Sequence, residues 1–141
     1  MMVRRCTFDG ADNGIRIKSM RGAGGVVENV VYRDIQMKNV ANAIVLDLNY
    51  TDNNRPDFKG DPTKIPVMRN VLIENVTVEN ARNAGKIVGL PESKITEVTL
   101  RNVHIVAEKD LEIHDVGVIH MEEVTREVKA GVGPPKRVET E

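Results

Sequence analysis

A chain of 141 residues with 20 Lys and Arg against 21 Asp and Glu has a net charge of −1, so its overall field draws in neither nucleic acid nor an anionic membrane. It has no apolar run near the roughly 18 residues of a spanning helix, and its single cysteine, Cys6, excludes an intrachain disulfide framework. With no Trp, two Phe and two Tyr, the core must come from aliphatic, largely β-branched side chains, which suit strands rather than a helical bundle.

The first segment, residues 3–8 (VRRCTF), follows Met1 and Met2 directly and reads as a strand pair rather than a secretory leader. It is an incomplete copy of a unit that returns at 30–37 (VVYRDIQM), 71–78 (VLIENVTV), 98–105 (VTLRNVHI) and 119–126 (IHMEEVTR). Aligned without gaps, the copies give columns of one character. Val30, Val71, Val98 and Ile119 form one, and Val3, Tyr32, Ile73, Leu100 and Met121 another. Cys6, Ile35, Val76, Val103 and Val124 form a third, and Phe8, Met37, Val78 and Ile105 a fourth that ends in Arg126. Inside each copy the apolar residues alternate, skip once and alternate again, which describes two short strands joined at a sharp bend. The bend column is Arg5, Asp34, Asn75, Asn102 and Glu123; Asn and Asp tolerate the left-handed conformation such a corner requires. The preceding column, Arg4, Arg33, Glu74, Arg101 and Glu122, reads as a solvated charge ladder.

A further strand follows each pair, at 14–18 (GIRIK), 43–48 (AIVLDL), 86–88 (KIV) and 111–113 (LEI). Copies starting 41, 27 and 21 residues apart, three short strands each, predict an all-β parallel solenoid of about four to five coils over residues 1–128. The longest interval holds residues 51–66, rich in Asp, Asn, Pro and Gly, which reads as an inserted surface loop; residues 129–141 read as a mobile tail.

Several residues invite a catalytic reading and have a plainer one. Asp9 and Asp12 flank Gly10 and Ala11 in what reads as a turn. Cys6 falls in a core column. His104, His114 and His120 fall in separate coils, so no metal site is read. Residues 22–25 (GAGG) lack the following Lys-Ser or Lys-Thr of a phosphate loop. No cofactor is expected.

The stretch DNGIRIK at 12–18 followed by GAGG at 22–25 resembles the Arg-Ile-Lys motif and glycines of family 28 glycoside hydrolases, the polygalacturonases and their relatives. The likeness continues through VENV (27–30), YRDI (32–35), MKNV (37–40), IVLD (44–47), Tyr50, PVMRNVLIENV (66–76) and GLP (89–91), to about residue 125. It implies a right-handed parallel β-helix that hydrolyses α-linked galacturonic acid polymers of pectin with inversion, in a secreted or periplasmic parent enzyme. It further implies that Arg16 and Lys18 bind a sugar carboxylate, with Tyr50 in the cleft. Strand alternation agrees: Ile15 and Ile17 point inward while Arg16 and Lys18 share the outer face about 7 Å apart, a spacing suited to clamping a uronate. The register sets Lys18 over Asp47, where a surface ion pair is available, and Arg16 over Val45.

The family's catalytic aspartates lie in Asn-Thr-Asp and Asp-Asp motifs before the Arg-Ile-Lys motif, followed by Gly-His-Gly; none of these occurs here. Inverting hydrolysis needs an acid and a base roughly 6.5–9.5 Å apart. No catalytic residue is therefore assigned, and the chain reads as the C-terminal part of such an enzyme, inactive alone. The alternative is a non-catalytic carbohydrate-binding or structural solenoid. An uncovered first coil would expose Val3, Cys6, Phe8, Ile15 and Ile17 and recruit a second copy, giving a homodimer through that end.

Overall fold

In the computed structural model, residues 2–10, 12–19, 25–48 and 65–130 are described. The loop expected over 51–66 lies outside them except for Ile65 and Pro66, and the tail over 129–141 except for Lys129 and Ala130.

Among the described residues eight strands follow in order: β1 (Met2–Asp9), β2 (Asn13–Lys18), β3 (Val26–Lys38), β4 (Val40–Asp47), β5 (Val67–Val88), β6 (Thr96–Lys109), β7 (Glu112–His114) and β8 (Ile119–Val128). All pairings between them are parallel. One face runs β1-β3-β5-β6-β8 and a second runs β2-β4-β5-β7, with the 22 residues of β5 crossing the corner to serve both. This is the parallel β-helix expected from the repeat. No helix among the described residues is long and apolar enough to cross a membrane.

The register is the one read from the columns. Tyr32 lies on Ile73, Ile73 on Leu100 and Leu100 on Met121; Ile35, Val76, Val103 and Val124 follow in the same way. Stacking places like side chains over one another inside the coil, and Ile35, Met37, Met68, Ile73 and Leu100 are almost wholly buried. Each such side chain contributes roughly 1.5–3 kcal/mol of burial, which no isolated coil could recover.

The bends are more numerous than the single expected column. Arg5, Asp34, Asn75, Asn102 and Glu123 all take φ between 53° and 58°, as the skipped alternation implies. A second left-handed column holds Asn29, Asn70 and Glu97, and Asn39 forms a third corner. One left-handed residue shifts the alternation by one position, so that Val30 and Tyr32 before Asp34, and Ile35 and Met37 after it, all face the core. Amide ladders tie these corners together: Asn75 Nδ2 donates to Asp34 Oδ1 at 3.1 Å, and Asn102 Nδ2 to Asn75 Oδ1 at 2.8 Å. Asn70 donates to Asn29, and Asn80 to Asn39. Beside them runs the expected charge ladder, Arg33–Glu74 at 2.8 Å, Glu74–Arg101 at 3.1 Å and Arg101–Glu122 at 2.7 Å. Its two carboxylate partners hold the Arg101 proton, raising that pKa above the usual value.

The first coil differs in part from expectation. Ile15, expected on an open rim, is 1% exposed because it stacks on Ile44 of the next coil; Val3, Cys6, Phe8 and Ile17 are only partly buried. At the β8 end, where the fourth column gives way to Arg126, Val118, Met121 and Val128 are exposed.

Candidate functional site

On the outer side of the second face, strands β2, β4, the end of β5 and β7 place four short segments one above another. Their inward side chains, Ile17, Leu46, Ile87 and Ile113, form a stack that fixes which residues point outward. The outward positions line an open groove of about 470 Å³ bounded by Asn13, Arg16, Lys18, Val45, Asp47, Asn83, Lys86 and Lys109, among others.

Arg16 and Lys18 stand exposed on this groove, as their alternation with Ile15 and Ile17 requires. Lys18 lies over Asp47 and Arg16 over Val45 in the expected register. Asp47 is not a surface acid, however. It is 4% exposed, and its Oδ2 lies 3.2 Å from Lys86 Nζ on the following coil. A carboxylate held this far from water needs a cation at hand, and the groove supplies one from its own wall. Tyr50, the third binding residue implied by the family likeness, lies outside the described residues.

A rail of amides runs along the same groove. Asn42 Nδ2 donates to Asn13 Oδ1 at 3.2 Å, and Asn83 Nδ2 to Asn42 Oδ1 at 3.0 Å. The sequence signal for it is an Asn followed by a small residue at the start of each outer segment: Asn13-Gly14, Asn42-Ala43 and Asn83-Ala84. The smallness is enforced by packing, since a Cβ on Gly14 would stand 2.3 Å from Met37 Sδ and 2.8 Å from the Ala43 carbonyl oxygen. Gly85 is more constrained still: at φ 130°, a Cβ there would lie 1.7 Å from the Ile44 carbonyl oxygen.

The remaining candidates lie away from this groove or make local contacts. Asp9 ends β1 and accepts from Asn39 Nδ2 at 3.1 Å, while Gly10, with φ 80°, turns the chain toward β2. The Asp12 carbonyl accepts from Asn42 N at 2.9 Å, so both acids belong to the β1–β2 turn. Cys6 is partly buried against the core. His114 Nε2 lies 2.7 Å from Glu112 Oε1 and His120 Nε2 3.6 Å from Glu97, while His104 bonds Thr125 and Asn102. No group of three His, Cys, Asp or Glu side chains suited to a metal occurs among the described residues.

The outward groove of this solenoid is lined by cations, acids and amides, and comparison with known proteins gives the chain a family. The profile of Glycosyl hydrolases family 28 matches residues 1–123, and the chain belongs to that family. It is 34% identical to an endo-polygalacturonase of Pectobacterium parmentieri over 111 residues, covering 79% of this chain and 26% of that protein. A polygalacturonase of Malus domestica is 36% identical over 76 residues (54% of this chain, 16% of the relative). One from Arabidopsis thaliana is 29% identical over 135 residues (95% and 30%). The chain thus spans less than a third of the length of these relatives.

Proposed function

We propose that the chain is the substrate-gripping part of a polygalacturonate-cleaving glycoside hydrolase, in which Arg16 and Lys18 hold a galacturonate carboxylate and Tyr50 completes the cleft. The observation that carries this reading is the placement of both cations on the outer wall of a family 28 β-helix, lining a groove of about 470 Å³. A guanidinium grips a carboxylate in bidentate fashion, and an ammonium two positions along the strand adds a second charge-assisted contact. Neither carboxylate motif of the family occurs in these 141 residues, so the cleavage step is assigned to the whole enzyme and binding to this part. The same absence supports a second reading, recognition of acidic polysaccharide without cleavage.

The test has two readouts on the 141-residue chain. Reducing-end release from polygalacturonate stays at the level of buffer. Galacturonate binds weakly, around the millimolar range, more weakly as salt rises, and about tenfold more weakly after Arg16→Ala. Hydrolysis lost on Arg16→Ala would contradict the division of roles, and binding indifferent to that substitution would contradict the clamp.

For this chain in isolation the reading includes a homodimer through the first coil. Among the described residues β1 pairs only with β3 and β2 only with β4, and an open strand edge recruits another. Light scattering at high micromolar concentration should give a dimer that Phe8→Asp dissociates. A wild-type monomer, or a dimer dissociated by Met121→Glu instead, would overturn it.

A further inference from the structure

The amide rail ends on a lysine. Asn13 pairs in register with Asn42, Asn42 with Asn83 and Asn83 with Lys109, so the fourth position of the column carries a cation. The acids lining the groove are engaged. Asp47 is bound by Lys86, while Asp110 Oδ1 lies 3.4 Å from Arg126 and accepts from Leu111 N at 2.7 Å. Glu112 is held by His114 at 2.7 Å. Lys109 is exposed, lines the same groove, and among the described residues its ammonium enters no hydrogen bond or ion pair.

We propose that Lys109 is a second carboxylate station of the groove, taking another uronate of the same acidic oligosaccharide whose first carboxylate sits at Arg16 and Lys18. The inference rests on that reading of Arg16 and Lys18. Lys109 stands three coils beyond β2, roughly 14 Å along the axis at parallel-strand spacing, and it belongs to the Asn13 column rather than the Arg16 column. The oligosaccharide therefore crosses the groove obliquely, over the amides of Asn42 and Asn83, which offer hydrogen bonds to sugar hydroxyls. Lys86 lies between the stations but is no station itself, because its charge is matched by the buried Asp47 carboxylate. Selectivity follows from the spacing. A single sugar reaches one station and an acidic oligomer reaches both, whereas an esterified oligomer has no charge to offer either.

The experiment titrates the 141-residue chain with galacturonate, with de-esterified tetragalacturonate and with its methyl ester, at low salt. Lys109→Gln should weaken tetragalacturonate binding about two- to fivefold, as loss of one solvent-exposed charged contact does, and leave the monomer affinity unchanged. Lys94→Gln, at an exposed position that does not line the groove, controls for loss of net charge. Equal tetramer affinities in the Lys109→Gln and Lys94→Gln variants, with Arg16→Ala still weakening both ligands, would overturn the second station alone. A tetramer weakened by Lys109→Gln but indifferent to Arg16→Ala would keep the station and overturn the reading of Arg16. No binding of the tetramer to wild type overturns both.

Discussion

Asn75 takes φ 55°, a conformation that costs an ordinary L-residue roughly 1–2 kcal/mol and that asparagine visits readily. Its side chain also joins three coils, donating to Asp34 Oδ1 at 3.1 Å and accepting from Asn102 Nδ2 at 2.8 Å. Alanine would keep the strain and lose both bonds, so Asn75→Ala should lower stability by about 2–3 kcal/mol. A urea titration checks this, and a midpoint within error of wild type would show that the ladder contributes nothing. The Asn75 column was legible in the sequence because it interrupts apolar alternation on both sides. The Asn29–Asn70 column and the corner at Asn39 act in the same way five residues to either side. They were not legible, since the apolar pattern before Val30 and after Met37 is too short to reveal a second slip.

At the scale of the element, β5 shows what the corners accomplish. It pairs with β3 through Val78 and with β4 from Ala81 onward, so one strand serves the core face and the groove face. Gly85 sits where β5 runs under β4, at φ 130° with its missing Cβ directed at the Ile44 backbone. Gly85→Ala requires both a conformation reserved for glycine and a backbone displacement at the groove floor. It should cost about 3 kcal/mol or more, with loss of galacturonate binding. Near-wild-type stability by urea titration would contradict this close approach. Nothing in the sequence announced it, because Gly85 stands in an aliphatic column after Ile15 and Ile44 and looks like a simple deletion of bulk. Arg16 and Lys18 were legible from strand alternation together with the family likeness. In the sequence Asp47 looks like a surface acid because pairing register gives neighbours, and burial depends on what the next coil adds, here Lys86.

At the scale of the molecule, coil stacking links fold and binding. Equivalent residues of successive coils fall into lines along the axis, so the stacking that turns Ile17, Leu46, Ile87 and Ile113 inward also aligns Asn13, Asn42, Asn83 and Lys109 outside. A polymer of repeating acidic sugars presents carboxylates in the same linear fashion, which is the physical fit between this fold and its proposed ligand. The most direct measurement is a map of backbone amide shifts on the 141-residue chain titrated with de-esterified tetragalacturonate, and separately with its methyl ester. The acidic tetramer should shift residues 13–18, Val45, Asp47, Lys86 and Lys109, and the ester should leave them in place. Equal shifts with both ligands, shifts confined to the Arg33–Glu74–Arg101 face, or no shifts at all would contradict an acidic-sugar groove on this β-helix.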